Sequence, residues 1–364
     1  MRDKVLVVGG YGDVGGKICN LLADQFAGRV IAAGRNMDKG RRFSESTGGK
    51  VLAREIDIYR EVAEGTLSDV QLCIMALDLK DLTFVENCLS QGIGYIDVSA
   101  TYEQINGIVQ LHSLAEQNGA TGIVSVGLAP GLSNLLAKYC TMQMDDTYTM
   151  EIGILLGLGE DHGEASIDWV LQNLQKDFTL KVNGKSEQVR SFQSPRGVDF
   201  PDHLGRYKAY AFNFSDQYVI AENLRIPEVR TRLAFESKFV TNLFYQLSRW
   251  GFFRLLRYSW FNRIMKFSLM KLKMGTDVYA LKVEAYGTRL GEAASTFASV
   301  SGRSEAYATA MVAAKAAEQL LTDPLLPKGV HHIESLFEPK SFIQALDGVR
   351  FSTGSELFPM SMMA

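Results

Sequence analysis

Lys4-Val5-Leu6-Val7-Val8-Gly9-Gly10-Tyr11-Gly12-Asp13-Val14-Gly15-Gly16 carries an apolar strand straight into a glycine-rich turn, with a helix beginning at about Val14. The spacing Gly10-x-Gly12-x-x-Gly15 gives each glycine a task. The first permits the tight turn, the second lets backbone approach a pyrophosphate, and the third lets the helix pack closely on the strand. Unpaired N–H groups at the helix start, and the positive end of its dipole, then receive phosphates. The spacing alone is weak; its setting between a buried strand and a helix gives it weight.

Outward from that turn, residues 1–125 alternate apolar β-type runs with amphipathic helical segments: Val14–Ala27, Arg29–Ala33, Val51–Glu55, Val70–Ala76, Leu82–Gln91, Tyr95–Val98, Tyr102–Gln117 and Thr121–Val126. This is the βαβ rhythm of a doubly wound parallel Rossmann sheet, so the fold class is α/β. The second strand ends in Ala33-Gly34-Arg35-Asn36, with none of the carboxylates that accept a ribose 2′-hydroxyl in NAD sites. A guanidinium there grips a 2′-phosphate bidentately, so NADP is the expected cofactor. The expected cofactor residues are Gly10, Tyr11, Gly12, Asp13, Val14 and Gly15 of the loop, with Arg35, Asn36, Asp57 and Ala76 at the strand ends. Asp57 serves equally well as a helix N-cap.

Beyond Pro130-Gly131 the rhythm changes. Tyr148–Leu156, Phe178–Val182, Gln188–Phe192 and Ala209–Ile220 read as antiparallel strands, with a hairpin turn at Asn183-Gly184. Asp277–Tyr286 reads as a last strand before an alanine-rich helix, Ser304–Leu321, and Ser341–Leu346 as a short terminal helix. The expected domains are therefore a Rossmann domain over 1–130, a second α+β domain on a mixed or antiparallel sheet over 131–328, which carries substrate and dimerises, and a C-terminal segment 329–364 returning to the first.

At 364 residues, 46% hydrophobic and 22% charged, the chain has apolar surface for two cores. A net charge of −3 supplies no basic field for nucleic acid. The four cysteines are scattered without a CxxC pair, which implies neither a disulfide framework nor a metal site and suits a reducing cytoplasm. The four-residue apolar run Val5–Val8 is short of the roughly 7–15 residues of a secretory core. No stretch reaches the ~18 apolar residues of a membrane span. The chain reads as soluble and cytoplasmic.

With the loop, Ala33-Gly34-Arg35-Asn36 and Ile56-Asp57-Ile58 in hand, the sequence resembles the saccharopine dehydrogenase family. Gly94-Tyr95-Ile96-Asp97-Val98-Ser99 is similar to that family's Tyr-x-Asp strand end. Gly127-Leu128-Ala129-Pro130-Gly131-Leu132-Ser133-Asn134 resembles its Pro-Gly-Leu-Ser crossover, and Val198-Asp199-Phe200-Pro201 and Gly329-Val330 resemble later segments. The likeness implies an NADP(H)-dependent oxidoreductase that transfers hydride to or from a C=N or CH–NH carbon of an amino-acid-derived substrate. Where the family often has Ser-Gly-Glu, this chain has Ser99-Ala100-Thr101.

Hydride transfer asks the protein mainly for positioning and electrostatics. A protonated imine already draws hydride, so no dedicated general acid is required, and no Tyr has Lys four residues later as in short-chain reductases. Asp97, at a strand's carboxyl end, and Tyr102 nearby are the catalytic candidates. Arg196 and Arg206, with Arg230 in reserve, are candidates to pair substrate carboxylates; His162 and His203 are possible acids or bases. Alternative readings are reduction of a C=C or C=O bond in a hydrophobic substrate, or a regulator that binds NADP without turnover.

Residues 239–274 hold seven Lys or Arg, no Asp or Glu, and Trp250, Phe252, Phe253, Trp260 and Phe261. Broken near Tyr258, the stretch makes two helices whose cations occupy arcs of about 140–160°. The favoured expectation is that its apolar side covers the second domain's sheet while cationic stems snorkel to water. A homodimer contact and a peripheral membrane contact are the others.

Overall fold

The computed structural model describes residues 2–60, 63, 65–160, 163–182, 184–271 and 274–358. The chain forms two compact units, Met1–Leu132 with Ala306–Glu338, and Ser133–Glu305 with Pro339–Ala364.

In the first unit, β1 (Lys4–Val8), α1 (Asp13–Gln25), β2 (Val30–Gly34), α2 (Met37–Ser46), β3 (Val51–Glu55), β4 (Val70–Met75), α3 (Thr83–Ser90), β5 (Gly94–Asp97), α4 (Tyr102–Val109), α5 (His112–Gln117) and β6 (Thr121–Val124) follow in order. All pairings are parallel in the order β3-β2-β1-β4-β5-β6, reversing direction beside β1, where doubly wound sheets bind ligands. Val5 to Val8, Val30 to Ala33 and Leu72 to Met75 are buried throughout, because helices cover both faces. The helix expected over Tyr102–Gln117 is two, interrupted at Gln110-Leu111. Between β6 and the second unit, Leu128–Leu132 is an irregular turn containing a cis Ala129–Pro130 bond.

The second unit opens with α6 (Ser133–Thr141) and β7 (Asp146–Leu158), continues through α7 (Glu164–Gln175), the hairpin β8 (Asp177–Val182) and β9 (Lys185–Arg190), and then β10 (Arg196–Phe200), β11 (Gly205–Ala211), α8 (Asp216–Asn223) and β12 (Glu228–Phe235). After α9 (Lys238–Arg249), a 3₁₀ turn (Phe252–Arg257) and α10 (Ser259–Lys271) come β13 (Met274–Arg289) and β14 (Glu292–Arg303). The strand expected to run to Ile220 stops at Ala211, and the chain turns into α8. Asp277–Tyr286 is not the last strand, since β14 and a later β16 (Arg350–Phe358) extend the sheet. Its order is β10-β11-β12-β7-β13-β14-β16, mixed because β7 and β12 are parallel. Along β13, Leu281, Val283 and Ala285 are fully buried on the side where the Cys140 thiol of α6 meets the Val283 carbonyl. Lys282, Glu284 and Tyr286 point the other way, as the two-residue period of a strand requires.

The division of the chain departs from the expected boundaries. The alanine-rich α11 (Glu305–Thr322) lies, from Ala306, in the first unit: Thr309 Oγ1 accepts the Leu128 N–H at 3.2 Å, and Leu320 packs at Gly94. β15 (Gly329–His332) joins the edge of the first sheet beside β6, followed by α12 (Ile333–Leu336). From α13 (Pro339–Gln344) onward the chain belongs to the second unit, where β16 pairs β14. Small side chains along α11 allow its close approach, a packing property rather than a sequence boundary. The hairpin turn expected at Asn183-Gly184 is flanked by the Val182–Lys185 pair, though Asn183 lies outside the described residues.

Candidate functional site

The glycine loop is a cradle of backbone. A Cβ on Gly10 would lie 2.6 Å from the Val7 carbonyl oxygen, and one on Gly15 would lie 2.2 Å from that of Gly9. No side chain caps α1, whose N-cap is Gly12, so its first N–H groups and dipole are presented to an incoming anion. Asp13 is drawn aside into an ion pair with Lys17 one turn on. Ala76 leads the loop after β4 alongside: its N–H donates to Val8, and its carbonyl and Leu77 face Gly9.

Arg35 is exposed directly after β2, and no carboxylate stands beside it in Gly34-Arg35-Asn36. Asn36 is occupied locally: its side-chain oxygen accepts the Lys39 N–H at 2.9 Å, capping α2, and its own N–H donates to the Tyr11 hydroxyl at 2.8 Å. Asp57 forms neither a helix cap nor an open contact. Its carboxylate accepts the Tyr59 N–H and pairs with Arg60 at 3.3 Å. Tyr59, which the sequence reading missed, spans from this loop to the carbonyl of Asp78 at 2.9 Å, with the Lys80 ammonium over its ring. Burial pushes its hydroxyl pKa up, against the pull of the Arg35 charge. Loop, Arg35, Tyr59 and Ala76 thus gather at the carboxyl ends of β1 to β4. An uncapped helix start over a backbone cradle, beside a cationic strand tip, fits a dinucleotide bearing a 2′-phosphate.

Asp97, a candidate for meeting a ligand, is out of contact with solvent in this structure. It is fully buried, accepting hydrogen bonds from Tyr95 Oη (2.9 Å), Ser99 N (2.9 Å) and Gln104 Nε2 (3.1 Å). Burial outweighs these donors and raises its pKa to about 6. Gln104 Oε1 in turn accepts the Leu79 N–H at 2.8 Å. Asp97 therefore fixes the loop after β4 through Gln104, a positioning part. Tyr102 opens α4 close by. At the far edge, the buried Ser125, at φ 58°, hydrogen-bonds His332 at 2.9 Å, a pairing across 207 positions that no local spacing announces.

In the second unit Arg196 is engaged, not open. It reaches Tyr286 Oη at 2.8 Å and Glu151 at 3.5 Å. Glu151 also holds the buried Arg232, while Lys282 pairs with Glu284 at 3.0 Å. Arg206 is exposed on the β10–β11 hairpin, lying against Gly197, and is not brought into this cluster. Arg230 pairs with Glu228 and Glu187. His203 is in an exposed turn, and His162 lies outside the described residues. All four cysteines are free and buried. Among the described residues no acid, His or Cys cluster suits a metal, and no helix is long and apolar enough to cross a membrane.

The basic aromatic stretch breaks twice, at Trp250-Gly251 as well as at the expected Tyr258, so a 3₁₀ turn separates its two α-helices, and it does not merely cover the sheet. Val240 and Phe244 of α9 face inward with Phe253, whereas Phe239, Trp250, Trp260 and Phe267 are exposed.

Residues 5–123 match the family model described as the saccharopine dehydrogenase NADP binding domain. Among solved structures, the apo saccharopine dehydrogenase (L-Glu forming) of Saccharomyces cerevisiae superposes with a TM-score of 0.67 at 15% identity, covering 97% of this chain and 100% of that one. The DAP dehydrogenase of C. glutamicum in complex with DAP gives 0.45 at 12% identity, covering 93% and 95%. No curated protein sequence matches the chain. Residues 5–123 thus match a saccharopine dehydrogenase NADP binding domain, and the chain as a whole shares the fold of the yeast enzyme.

Proposed function

We propose that the protein is an NADP(H)-dependent oxidoreductase that transfers hydride to or from the C=N or CH–NH carbon of an amino-acid-derived substrate. The observation that carries this is the uncapped α1 over its glycine cradle, with Arg35 and no carboxylate at the tip of β2. NADP supplies or accepts the hydride. The chain's own residues bind and orient: the loop N–H groups hold the diphosphate, Arg35 the 2′-phosphate, and Asp97, through Gln104, the loop that flanks Gly9. With Asp97 buried, it is not available to protonate a substrate, which suits an iminium carbon that already carries its charge. Arg196 is the group we assign to a substrate carboxylate, by exchanging its Glu151 contact for the ligand's; Arg206, on the opposite face of the β10–β11 pair, is not placed to join it.

NADPH is expected to bind at least about tenfold more tightly than NADH, equivalent to about 1.4 kcal/mol, and Arg35→Ala to erase the difference in a calorimetric titration. Equal affinities in the unmodified protein would overturn the assignment. An anaerobic assay of NADPH absorbance against α-keto acids paired with amines tests the reaction: consumption supports it, and tight binding without consumption favours a non-catalytic regulator. A second reading is reduction of a C=C or C=O bond in a hydrophobic substrate; the second unit holds an apolar cavity of about 70 Å³, lined by Leu156, Ile167, Val170, Phe235, Phe244 and Leu269, which is room for no more than a small apolar group. Hydrophobic enones and ketones belong in the same assay.

A further inference from the structure

Nine of the seventeen exposed large apolar side chains among the described residues lie between 239 and 270. They are not scattered. On α10, Trp260, Ile264 and Phe267 fall within an arc of about 60° at 3.6 residues per turn, and they are 62%, 54% and 60% exposed. On α9, Phe239 and Leu243 continue toward Trp250, which is 75% exposed. These helices therefore have two apolar sides: one closes on the core through Val240, Phe244 and Phe261, and the other is exposed.

Around that outer side stand Arg249, Arg254, Arg257, Arg263 and Lys271, all exposed, and the sequence from 239 to 274 contains no acid. Lys271 lies over the ring of Phe267 and Arg257 over that of Tyr258, so cations and aromatic rings share one surface. An apolar patch with a rim of one sign has a narrow choice of partner. A second copy of this chain meeting the patch about a twofold axis would set this arginine-rich face against itself, cation against cation. An anionic lipid surface satisfies both parts: headgroup phosphates take the arginines, and tryptophans settle at the boundary between headgroups and acyl chains.

We propose that α9, the 3₁₀ turn and α10 form a docking surface for anionic membranes, with Trp250 and Trp260 inserted at the interface and the surrounding cations on lipid headgroups. This goes beyond the oxidoreductase reading and does not depend on it.

The test uses the full chain with phosphatidylcholine vesicles, with and without phosphatidylserine, by co-sedimentation and tryptophan fluorescence. Of the three tryptophans, Trp169 packs against Phe212 and Phe214, so a blue shift reports Trp250 and Trp260. Binding is expected only with phosphatidylserine, accompanied by the blue shift and reversed by salt. It should weaken by about fivefold for each charge removed in Arg254→Gln and Arg257→Gln. The double variant Trp250→Ala, Trp260→Ala is expected to bind at least about tenfold more weakly with an unchanged thermal midpoint, because both side chains are exposed. Absence of binding to phosphatidylserine vesicles at low salt would overturn the proposal. So would equal binding to both vesicle types, or a stable dimer that the tryptophan double variant dissociates.

Discussion

The Tyr11 hydroxyl accepts the backbone N–H of Asn36 at 2.8 Å, so the second residue of the glycine loop clasps the tip of β2. Gly34 makes room for it: a Cβ there would lie 2.3 Å from that oxygen. One contact thus joins the diphosphate cradle to the strand end that carries Arg35. Tyr11→Phe removes a neutral hydrogen bond made within the folded protein, so a loss of about 0.5–1.5 kcal/mol is expected by urea titration, with a smaller fall in NADPH affinity as the strand tip is released. Gly34→Ala, which displaces the ring, is expected to weaken binding more than Tyr11→Phe. Calorimetric titration of both variants checks the order.

Gly15→Ala meets backbone rather than a movable side chain, since its Cβ would sit 2.2 Å from the Gly9 carbonyl oxygen. The helix must retreat from the loop. Destabilisation of about 1–3 kcal/mol by urea titration and loss of NADPH binding are expected together. Retained affinity would show that the cradle does not hold the diphosphate.

Asp97 and Asp216, one in each unit, are fully buried, and burial raises each pKa from 3.8 to about 6. The folded state therefore holds their protons more tightly than the unfolded chain does. Their stabilising contribution is complete below about pH 4 and is lost as pH rises through about 6. Measured against the unmodified protein, Asp97→Asn should become more favourable between pH 4 and 7 by on the order of 3 kcal/mol, by urea titration. A pH-independent difference would show that Asp97 does not titrate in this range.

Glu151 holds both Arg232, itself buried, and Arg196. Glu151→Ala strands the Arg232 guanidinium without its counter-charge in the middle of the mixed sheet. A loss of about 3–5 kcal/mol is expected. Arg230→Ala, whose partners Glu228 and Glu187 are more exposed, should cost under about 1 kcal/mol. Thermal and urea unfolding of the two variants should differ accordingly.

The parallel sheet and its loop were legible because they rest on local signals: unbroken apolar runs such as Val5–Val8 and glycines at fixed offsets. β14 was not. Glu-Ala-Ala-Ser-Thr-Phe-Ala-Ser-Val-Ser-Gly-Arg is poor in the branched residues that mark strands, and it extends because β13 and β16 pair it on both edges. Ala209–Ile220 erred in the opposite direction, since the alternation ending in Phe212 and Phe214 continues past the last paired residue. At the site, residue types placed Arg35 correctly at a strand tip, but strand position alone does not say which way Asp97 points. Tyr95 and Gln104, two and seven residues away, were the available hint that its oxygens had partners inside the fold.

β15 completes the first sheet by pairing with β6, and Thr121 Oγ1 donates to the Pro327 carbonyl across 206 positions. During synthesis at about 5–20 residues per second, β6 thus emerges on the order of 10–40 s before its neighbour. For that interval the nascent Thr-Gly-Ile-Val edge offers an unpaired ladder, the feature that invites mispairing between chains. A chaperone that occupies the edge until translation passes His332 would raise the yield of native protein, and synonymous changes that slow elongation between 133 and 328 would lower it.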